Sequence, residues 1–184
     1  MTRDADHETA RWVIRAQCGD RNAVEYVLRS VQPSLRRYIL RVVGATAADD
    51  VLQETLISIA RKLTWLGEPR LFRAWAYRIA SRAAFDHLRK EKRRGREESD
   101  EAALGALVAP VSPPSGDQLR ELLESPWLSP GSRAVLMLHF QEEMPLADVA
   151  AVLELPLGTV KSRLAYGLTQ LRRHVAGHKE SKNG

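Results

Sequence analysis

The chain has 184 residues, of which 44% are hydrophobic and 28% charged, enough apolar material for one medium or two small domains. This composition excludes wholesale disorder, and no apolar stretch is long enough to cross a bilayer. The N-terminus lacks the features of a signal peptide, and the single Cys18 cannot supply an internal disulfide or a multi-cysteine zinc site. These features predict a soluble, cytoplasmic protein. Cys18 is expected to be a half-buried small residue, with a redox switch as the alternative.

The net charge of +5 is unevenly distributed along the chain. Residues 1–95 contain 19 Lys and Arg against 11 Asp and Glu, whereas residues 96–118 contain one Arg against five acidic residues. The densest basic run covers residues 89–96. A basic half followed by an acidic segment is typical of a polyanion-binding domain with a spacer, and chance clustering on a solvated surface is the alternative.

The N-terminal half is predicted to be a helical bundle, because apolar residues recur at helical spacing and no segment alternates like a strand. Apolar stripes cover residues 24–31 and 35–43, and Pro33 is placed to begin the second of these helices. Gly44 fits the C-terminal cap of that helix.

The next predicted helix has an apolar stripe over residues 52–63, with Asp49 or Asp50 as its cap. Residues 65–70 are predicted to form a loop. A further helix leads into the basic run, and its predicted apolar stripe consists of Phe72, Trp75, Ala76, Ile79 and Ala83. Trp75 is therefore expected in the core rather than on a stacking surface.

Residues 96–116 combine acidic residues, small residues and prolines, which predicts a flexible linker, with a short helix over 102–108 as the alternative. Helical patterning then resumes, in segments predicted over 119–123, 132–142, 146–154 and 157–175. Residues 177–184 are predicted to be a disordered tail. The predicted fold class is all-α: two small helical domains, 8–95 and 117–176, joined by the linker.

Residues 146–164 carry the clearest local motif, two short helices joined by a tight turn, which is a helix-turn-helix arrangement. The spacing predicts that the seam between the two helices is made by Val149, Leu153, Leu155, Val160 and Leu164. The outer face of the second helix then carries Thr159, Lys161, Ser162, Arg163 and Tyr166. Such a helix fits the major groove of DNA. An ordinary helical hairpin with solvated charges has the same pattern.

Glu154 occupies the turn position where glycine is common, because the backbone there is left-handed. A non-glycine residue in that conformation costs about 1 kcal/mol. The turn is therefore expected to be looser than usual.

Three stretches carry a family pattern: residues 49–62, which begin Asp-Asp-Val-Leu-Gln-Glu, residues 72–90, which begin Phe-Arg-Ala-Trp-Ala-Tyr-Arg-Ile-Ala, and residues 155–163, Leu-Pro-Leu-Gly-Thr-Val-Lys-Ser-Arg. In this order they resemble a bacterial sigma factor of the extracytoplasmic-function (ECF) group of the sigma-70 family. They resemble, in turn, that family's polymerase-clamp helix, the segment that melts and reads the minus-ten element, and the reader of the minus-thirty-five element.

The resemblance implies an ECF-type sigma factor that binds core RNA polymerase, through its clamp and flap, and directs promoter-specific initiation on promoter DNA. It implies no catalysis, no cofactor, no metal and no membrane contact. It further implies an anti-sigma factor as a partner, and a monomer when bound to polymerase.

The resemblance also implies three sets of site residues. The polymerase-binding set is Asp49, Asp50, Gln53 and Glu54. The set for the minus-ten element is Trp65, Arg70, Arg78, Ser81, Arg82, Asp86, Arg89 and Lys90. The set for the minus-thirty-five element is Thr159, Lys161, Ser162, Arg163 and Tyr166.

Two positions depart from the family pattern. Arg82 stands where the family often has an Asn that faces the extruded base, so the base preference of the family does not transfer. Ala60 stands where a Trp is common.

Other classes of protein fit the residues less well. The five histidines are scattered without metal-ligand spacing, and no glycine-rich phosphate loop is present, so an enzyme finds little support. A freestanding helix-turn-helix regulator that dimerises through residues 1–95 is the main alternative. It would bind duplex DNA unaided, whereas a sigma factor requires core polymerase. An interaction protein that sequesters another regulator leaves the basic run unexplained.

Overall fold

The computed structural model describes residues 3–95, 116–125 and 127–180, whose helices form two compact units. Every regular element in these ranges is helical, so the predicted all-α class is confirmed. Residues 96–115, which carry nearly all of the predicted linker and its alternative helix, lie outside the described residues. No helix within the described ranges is long and apolar enough to span a membrane.

The first unit contains helices α1 (Arg3–Gln17), α2 (Arg21–Val43), α3 (Ala45–Lys62) and α4 (Phe72–Gly95). Short 3-10 turns at Leu63–Trp65 and Pro69–Leu71 bracket the loop between α3 and α4. Cys18 lies in the turn after α1 and is exposed, so the expectation that it is half-buried is wrong.

Helix α2 continues through Pro33, so the prediction that a second helix begins there is wrong. A proline inside a helix removes a backbone hydrogen bond and costs about 3 kcal/mol. Here the buried face is continuous across Pro33, with Val27 and Val31 before it and Leu35 after it. Burial of each such side chain is worth about 1.5–3 kcal/mol, which outweighs the cost of the proline.

Gly44 ends α2 as predicted, and its N–H donates to the carbonyl of Leu40 at 3.0 Å. Its φ of +86° reverses the chain in a single residue, and α3 begins directly at Ala45. Asp49 and Asp50 therefore lie inside α3, and the prediction that one of them caps the helix is wrong.

The buried face of α4 is rotated relative to the predicted stripe. Its fully covered residues are Phe72, Ala76, Tyr77, Ala80, Ser81 and Ala84. Trp75, Ile79 and Ala83 are only half-buried, so the expectation that Trp75 belongs to the core is wrong. Small alanines allow α4 to pack closely on α2 and α3, which the hydrophobicity of single residues does not reveal.

The second unit contains α5 (Gly116–Glu124), α6 (Pro130–Leu136), a π-helical turn (Met137–Gln141), α7 (Leu146–Leu153) and α8 (Leu157–Glu180). Helix α6 begins two residues before its predicted start, because Ser129 caps it by accepting a hydrogen bond from the N–H of Ser132 at 3.1 Å. Helix α8 runs five residues beyond its predicted end, so residues 177–180 are helical rather than a disordered tail.

Helices α6 and α8 approach each other closely at Gly167. A Cβ at this position would lie 2.8 Å from Cδ1 of Leu136, a fully buried side chain. The absence of a side chain at Gly167 therefore sets the distance between the two helices.

Candidate protein and nucleic-acid interfaces

Helix α3 presents a polar, acidic face to solvent. Asp49, Asp50, Gln53 and Glu54 are all exposed on it, as the sequence predicts. Asp49 accepts a hydrogen bond from Nε of Arg36 at 3.0 Å, and both side chains are exposed. Such an exposed pair is worth about 0–1 kcal/mol and leaves Asp49 able to exchange partners.

Ile57 belongs to the same exposed part of α3, and sequence reasoning missed it. It is 44% exposed, one turn beyond Gln53. The sequence does contain a sign of this exposure. Ile57 lies outside the apolar stripe of the helix, at a position where a polar residue is expected. A single exposed isoleucine is ordinary on a protein surface, but this one places apolar area beside the acidic and amide side chains of α3.

The loop between α3 and α4 carries an unusually exposed aromatic side chain. Trp65 is 79% exposed, whereas its neighbours Leu63 and Leu66 are buried. Arg70, in the second 3-10 turn, is also exposed. The loop therefore combines a buried anchor with an indole and a guanidinium that face solvent.

The exposed face of α4 is predominantly basic. Arg78, Arg82, Asp86, Arg89 and Lys90 lie on it, and Arg89 forms an ion pair with Asp86. The helix continues through the basic run, and Lys92, Arg93 and Arg94 are exposed in its last turn. A basic helical face of this kind matches the charge of a nucleic-acid backbone.

Ser81 does not belong to this face, and the prediction that it contacts the minus-ten strand is wrong. It is only 2% exposed, its hydroxyl donates to the carbonyl of Tyr77 at 2.8 Å, and it lies 2.8 Å from the hydroxyl of Tyr38. Burial raises the pKa of Tyr38 above its usual range, and the bond to Ser81 opposes this shift. Ser81 is thus a core residue that supplies a hydrogen-bond partner for a buried tyrosine.

In the second unit, α7 and α8 form the predicted helix-turn-helix. Glu154 has φ 55° and ψ 42°, the left-handed conformation expected for that position. The N–H of Leu155 donates to the carbonyl of Ala150 at 3.0 Å, which closes the turn and contradicts the expected looseness. Val149 and Val160 are buried in the seam as predicted, whereas Leu153, Leu155 and Leu164 are half-exposed.

Two further buried residues, Val152 of α7 and Ala165 of α8, were not in the predicted seam. Val152 lies three residues after Val149, so helical periodicity from that predicted seam residue would have found it, whereas Ala165 is not three or four residues from Val160 or Leu164.

The residues predicted to read DNA from α8 differ in their exposure to solvent. Lys161 and Tyr166 are exposed, while Thr159 and Ser162 are half-buried, with the hydroxyl of Ser162 donating to the carbonyl of Thr159 at 2.9 Å. Arg163 is half-buried, and a Cβ at Gly131 would lie 2.8 Å from its Cζ. The Arg163 guanidinium therefore lies over Gly131 of α6, and the side chain packs within its own domain.

Two helical units, one with an exposed aromatic loop followed by a basic helix and the other with a helix-turn-helix, define a two-domain DNA-binding protein. The chain matches the family Sigma-70 region 2 over residues 27–94 and the family Sigma-70, region 4 over residues 127–173. These matches cover more than half of the chain, which therefore belongs to the sigma-70 family, within its ECF group.

Relatives match along most of their length. The RNA polymerase sigma-H factor of Pseudomonas aeruginosa is 30% identical over 178 residues, which cover 89% of this chain and 90% of the relative. The ECF RNA polymerase sigma factor SigW of Bacillus subtilis is 25% identical over 170 residues, 85% of this chain and 91% of the relative. The protein is a sigma factor that binds core RNA polymerase and directs promoter-specific transcription initiation.

Solved structures share the fold. CnrH, in complex with the cytosolic domain of CnrY, has a TM-score of 0.62 at 22% identity, over 92% of this chain and 97% of that chain. The sigma factor RpoE of Bartonella quintana, in complex with the anti-sigma factor NepR, has a TM-score of 0.63 at 21% identity, over 83% and 96%.

Proposed function

We propose that the two units divide the work of promoter recognition. Residues 8–95 bind the polymerase clamp and melt and read the minus-ten element, and residues 117–176 read the minus-thirty-five element and contact the polymerase flap. The family matches over 27–94 and 127–173 support this division. Residues 96–116 then serve as the linker. The observation that carries the proposal is the exposed indole of Trp65 followed by the basic face of α4.

The exposed face of α3 is the proposed polymerase-binding surface. Asp50, Gln53 and Glu54 supply carboxylates and an amide for a basic partner. Asp49 joins them when its ion pair with Arg36 is replaced by a pair with the polymerase. Ile57 adds apolar area that polymerase would bury. The alternative is that Asp50 caps the helix and Glu54 is solvated, but Asp50 lies inside α3 rather than at its start.

The Trp65 loop and the basic face of α4 are the proposed binding site for the melted minus-ten strand. Extrusion of a base costs a few kcal/mol, and stacking on an aromatic side chain returns about 1–3 kcal/mol per base. Trp65 and Arg70 supply the loop contacts, and the exposed residues of α4 follow the strand: Arg78, Arg82, Asp86, Arg89 and Lys90. Arg89 would exchange its ion pair with Asp86 for a phosphate.

The exposed part of α8 is the proposed reader of the minus-thirty-five element. Lys161 and Tyr166 are the principal contacts because their side chains reach solvent, and Thr159 and Ser162 assist them. Arg163 acts mainly by holding α8 against Gly131.

Four further properties belong to this proposal. The chain acts in the cytoplasm, where bacterial polymerase and chromosome lie, and it has no catalytic activity of its own. It binds polymerase as a monomer. An anti-sigma factor holds it inactive, and the solved complex of the sigma factor RpoE with the anti-sigma factor NepR supports such a partner.

Binding of a labelled promoter fragment, with and without core polymerase, tests the proposal. We expect tight, specific binding only with core polymerase. Asp50→Ala combined with Gln53→Ala should weaken core binding at least tenfold, whereas Glu25→Ala, which removes an exposed acidic side chain of α2, should not. Specific binding of duplex DNA by the chain alone would favour the freestanding regulator instead.

A further inference from the structure

The side chain of Gln17, at the end of α1, joins this helix to the loop that carries Trp65. Its Nε2 donates to the carbonyl of Leu63 at 2.9 Å and to the carbonyl of Leu66 at 2.8 Å. These carbonyls lie on either side of Trp65 along the chain. A single amide thus holds both ends of a four-residue segment that is 46–49 residues away in sequence.

Gln17 is itself held in place by the turn that follows it. Asp20 accepts hydrogen bonds from Nη2 and Nε of Arg15 at 2.6 and 3.0 Å, and its other oxygen accepts from the N–H of Ala23 at 3.1 Å. Gly19, with φ +93°, reverses the backbone between them. These hydrogen bonds join the end of α1 to the start of α2. They thereby fix the part of the backbone that carries Gln17.

The loop also supplies restraints of its own at this point. Its own backbone bond, from the N–H of Leu66 to the carbonyl of Leu63, measures 3.2 Å. Leu63 and Leu66 are buried and anchor the loop, but Trp65 between them is 79% exposed. Burial of the flanking leucines fixes where the loop sits, whereas the two bonds from Gln17 fix how its backbone is turned.

We propose that Gln17 is a positioning residue for recognition of the minus-ten element, and that it fixes the backbone around Trp65 before DNA binds. This inference depends on the function proposed above for the loop. A contact group held in its bound orientation loses less conformational freedom on binding, so the protein binds the strand more tightly and discriminates bases better. Helix α1, which precedes the matched segment 27–94, thereby becomes part of the minus-ten site.

The test uses Gln17→Met, which keeps the length of the side chain and removes the amide donors. In the complex with core polymerase, we expect affinity for a single-stranded minus-ten oligonucleotide to fall about fivefold, the loss typical of a hydrogen bond. Base preference should weaken, while affinity for a minus-thirty-five duplex stays unchanged. Gln32→Met, at an exposed position of α2, is the matched control and should have no effect.

Trp65→Ala separates a positioning role from a general structural one. If Gln17 acts through Trp65, the double variant should bind no more weakly than Trp65→Ala alone. A double variant whose loss is the product of the two single losses would overturn the inference, as would unchanged oligonucleotide binding by Gln17→Met. If Gln17→Met does not fold by circular dichroism, Gln17→Asn, which keeps the amide on a shorter arm, replaces it with the same expectation.

The two proposals fail in different ways. If Trp65→Ala itself leaves oligonucleotide binding unchanged, the function proposed for the loop is wrong, and the role of Gln17 is wrong with it. If Trp65→Ala weakens binding and Gln17→Met does not, the loop keeps its function and only the inference about Gln17 is wrong.

Discussion

The two units hold their candidate DNA contacts in different ways. In the first unit, Trp65 lies on a short loop that is oriented by hydrogen bonds from Gln17. In the second unit, the contacts lie on α8, which is positioned by close packing on α6 at Gly131 and Gly167. The first arrangement depends on polar contacts and the second on the absence of side chains, so different substitutions should disrupt them.

The largest effect is expected at Gly167, where packing sets the position of α8. Gly167→Ala places a Cβ 2.8 Å from the buried Leu136 side chain and should destabilise the protein by about 1–3 kcal/mol. Gly158→Ala is the matched control, because nothing lies within 4 Å of a Cβ there, and it should stabilise α8 by up to about 1 kcal/mol. Urea denaturation measures both, and equal effects would contradict the packing argument.

The next effect separates two basic residues of α8. Lys161→Ala should reduce discrimination at one base pair by about 1–3 kcal/mol if Lys161 reads a base edge. Arg163→Ala should weaken binding to all sequences alike, because Arg163 packs on Gly131 and its loss loosens the helix. Binding measured base by base across the minus-thirty-five element distinguishes them, and a sequence-specific loss in Arg163→Ala would restore it as a base contact.

A smaller effect is expected for Ser81. Ser81→Ala removes the buried partner of the Tyr38 hydroxyl and should cost about 1–2 kcal/mol of stability. Binding of the melted minus-ten strand should not change at a temperature where the variant is folded. Arg78→Ala, on the exposed face of the same helix, should show the opposite pattern, with weaker binding and unchanged stability.

The smallest effect concerns the polar turn between α1 and α2. The N–H of Ala23, followed by the guanidinium of Arg15, holds the pKa of Asp20 below its usual value of 3.8. Asp20 therefore stabilises the fold above pH 3.8, and this contribution is lost as the pH falls through the lower pKa of the folded state. Denaturation of Asp20→Asn followed between pH 2 and 7 should lack this component; an unchanged pH dependence would exclude Asp20 as its source.

Prediction from sequence was most accurate where one short-range rule decides the structure. Gly44 ends a helix because its backbone adopts a positive φ without steric clash, and Glu154 takes the left-handed position that the motif requires. The exposed acidic face of α3 also follows from helical periodicity. The errors at Pro33 and at Asp49 or Asp50 arose because continuous burial and a one-residue turn overrode local signals.

Short-range rules predicted the residues of the candidate sites less accurately. Ser81, a small polar residue within a basic stretch, was predicted to contact DNA but is buried beside Tyr38. Arg163 was predicted to contact the minus-thirty-five element, and its guanidinium lies over Gly131 within the same domain. Gln17 went unnoticed, because its two partners are more than 40 residues away and amide side chains carry no pattern of their own.

Periodicity and charge along the chain, which are properties of neighbouring residues, predict several features of this protein. These are its helical class, the approximate extent of the helices, the helix-turn-helix and the basic surface. The orientation of the Trp65 loop and the packing of Arg163 depend instead on residues that meet only after folding. Hydrogen bonds and close packing act over a few ångströms in space regardless of separation along the chain, so these features emerge only when the helices are assembled.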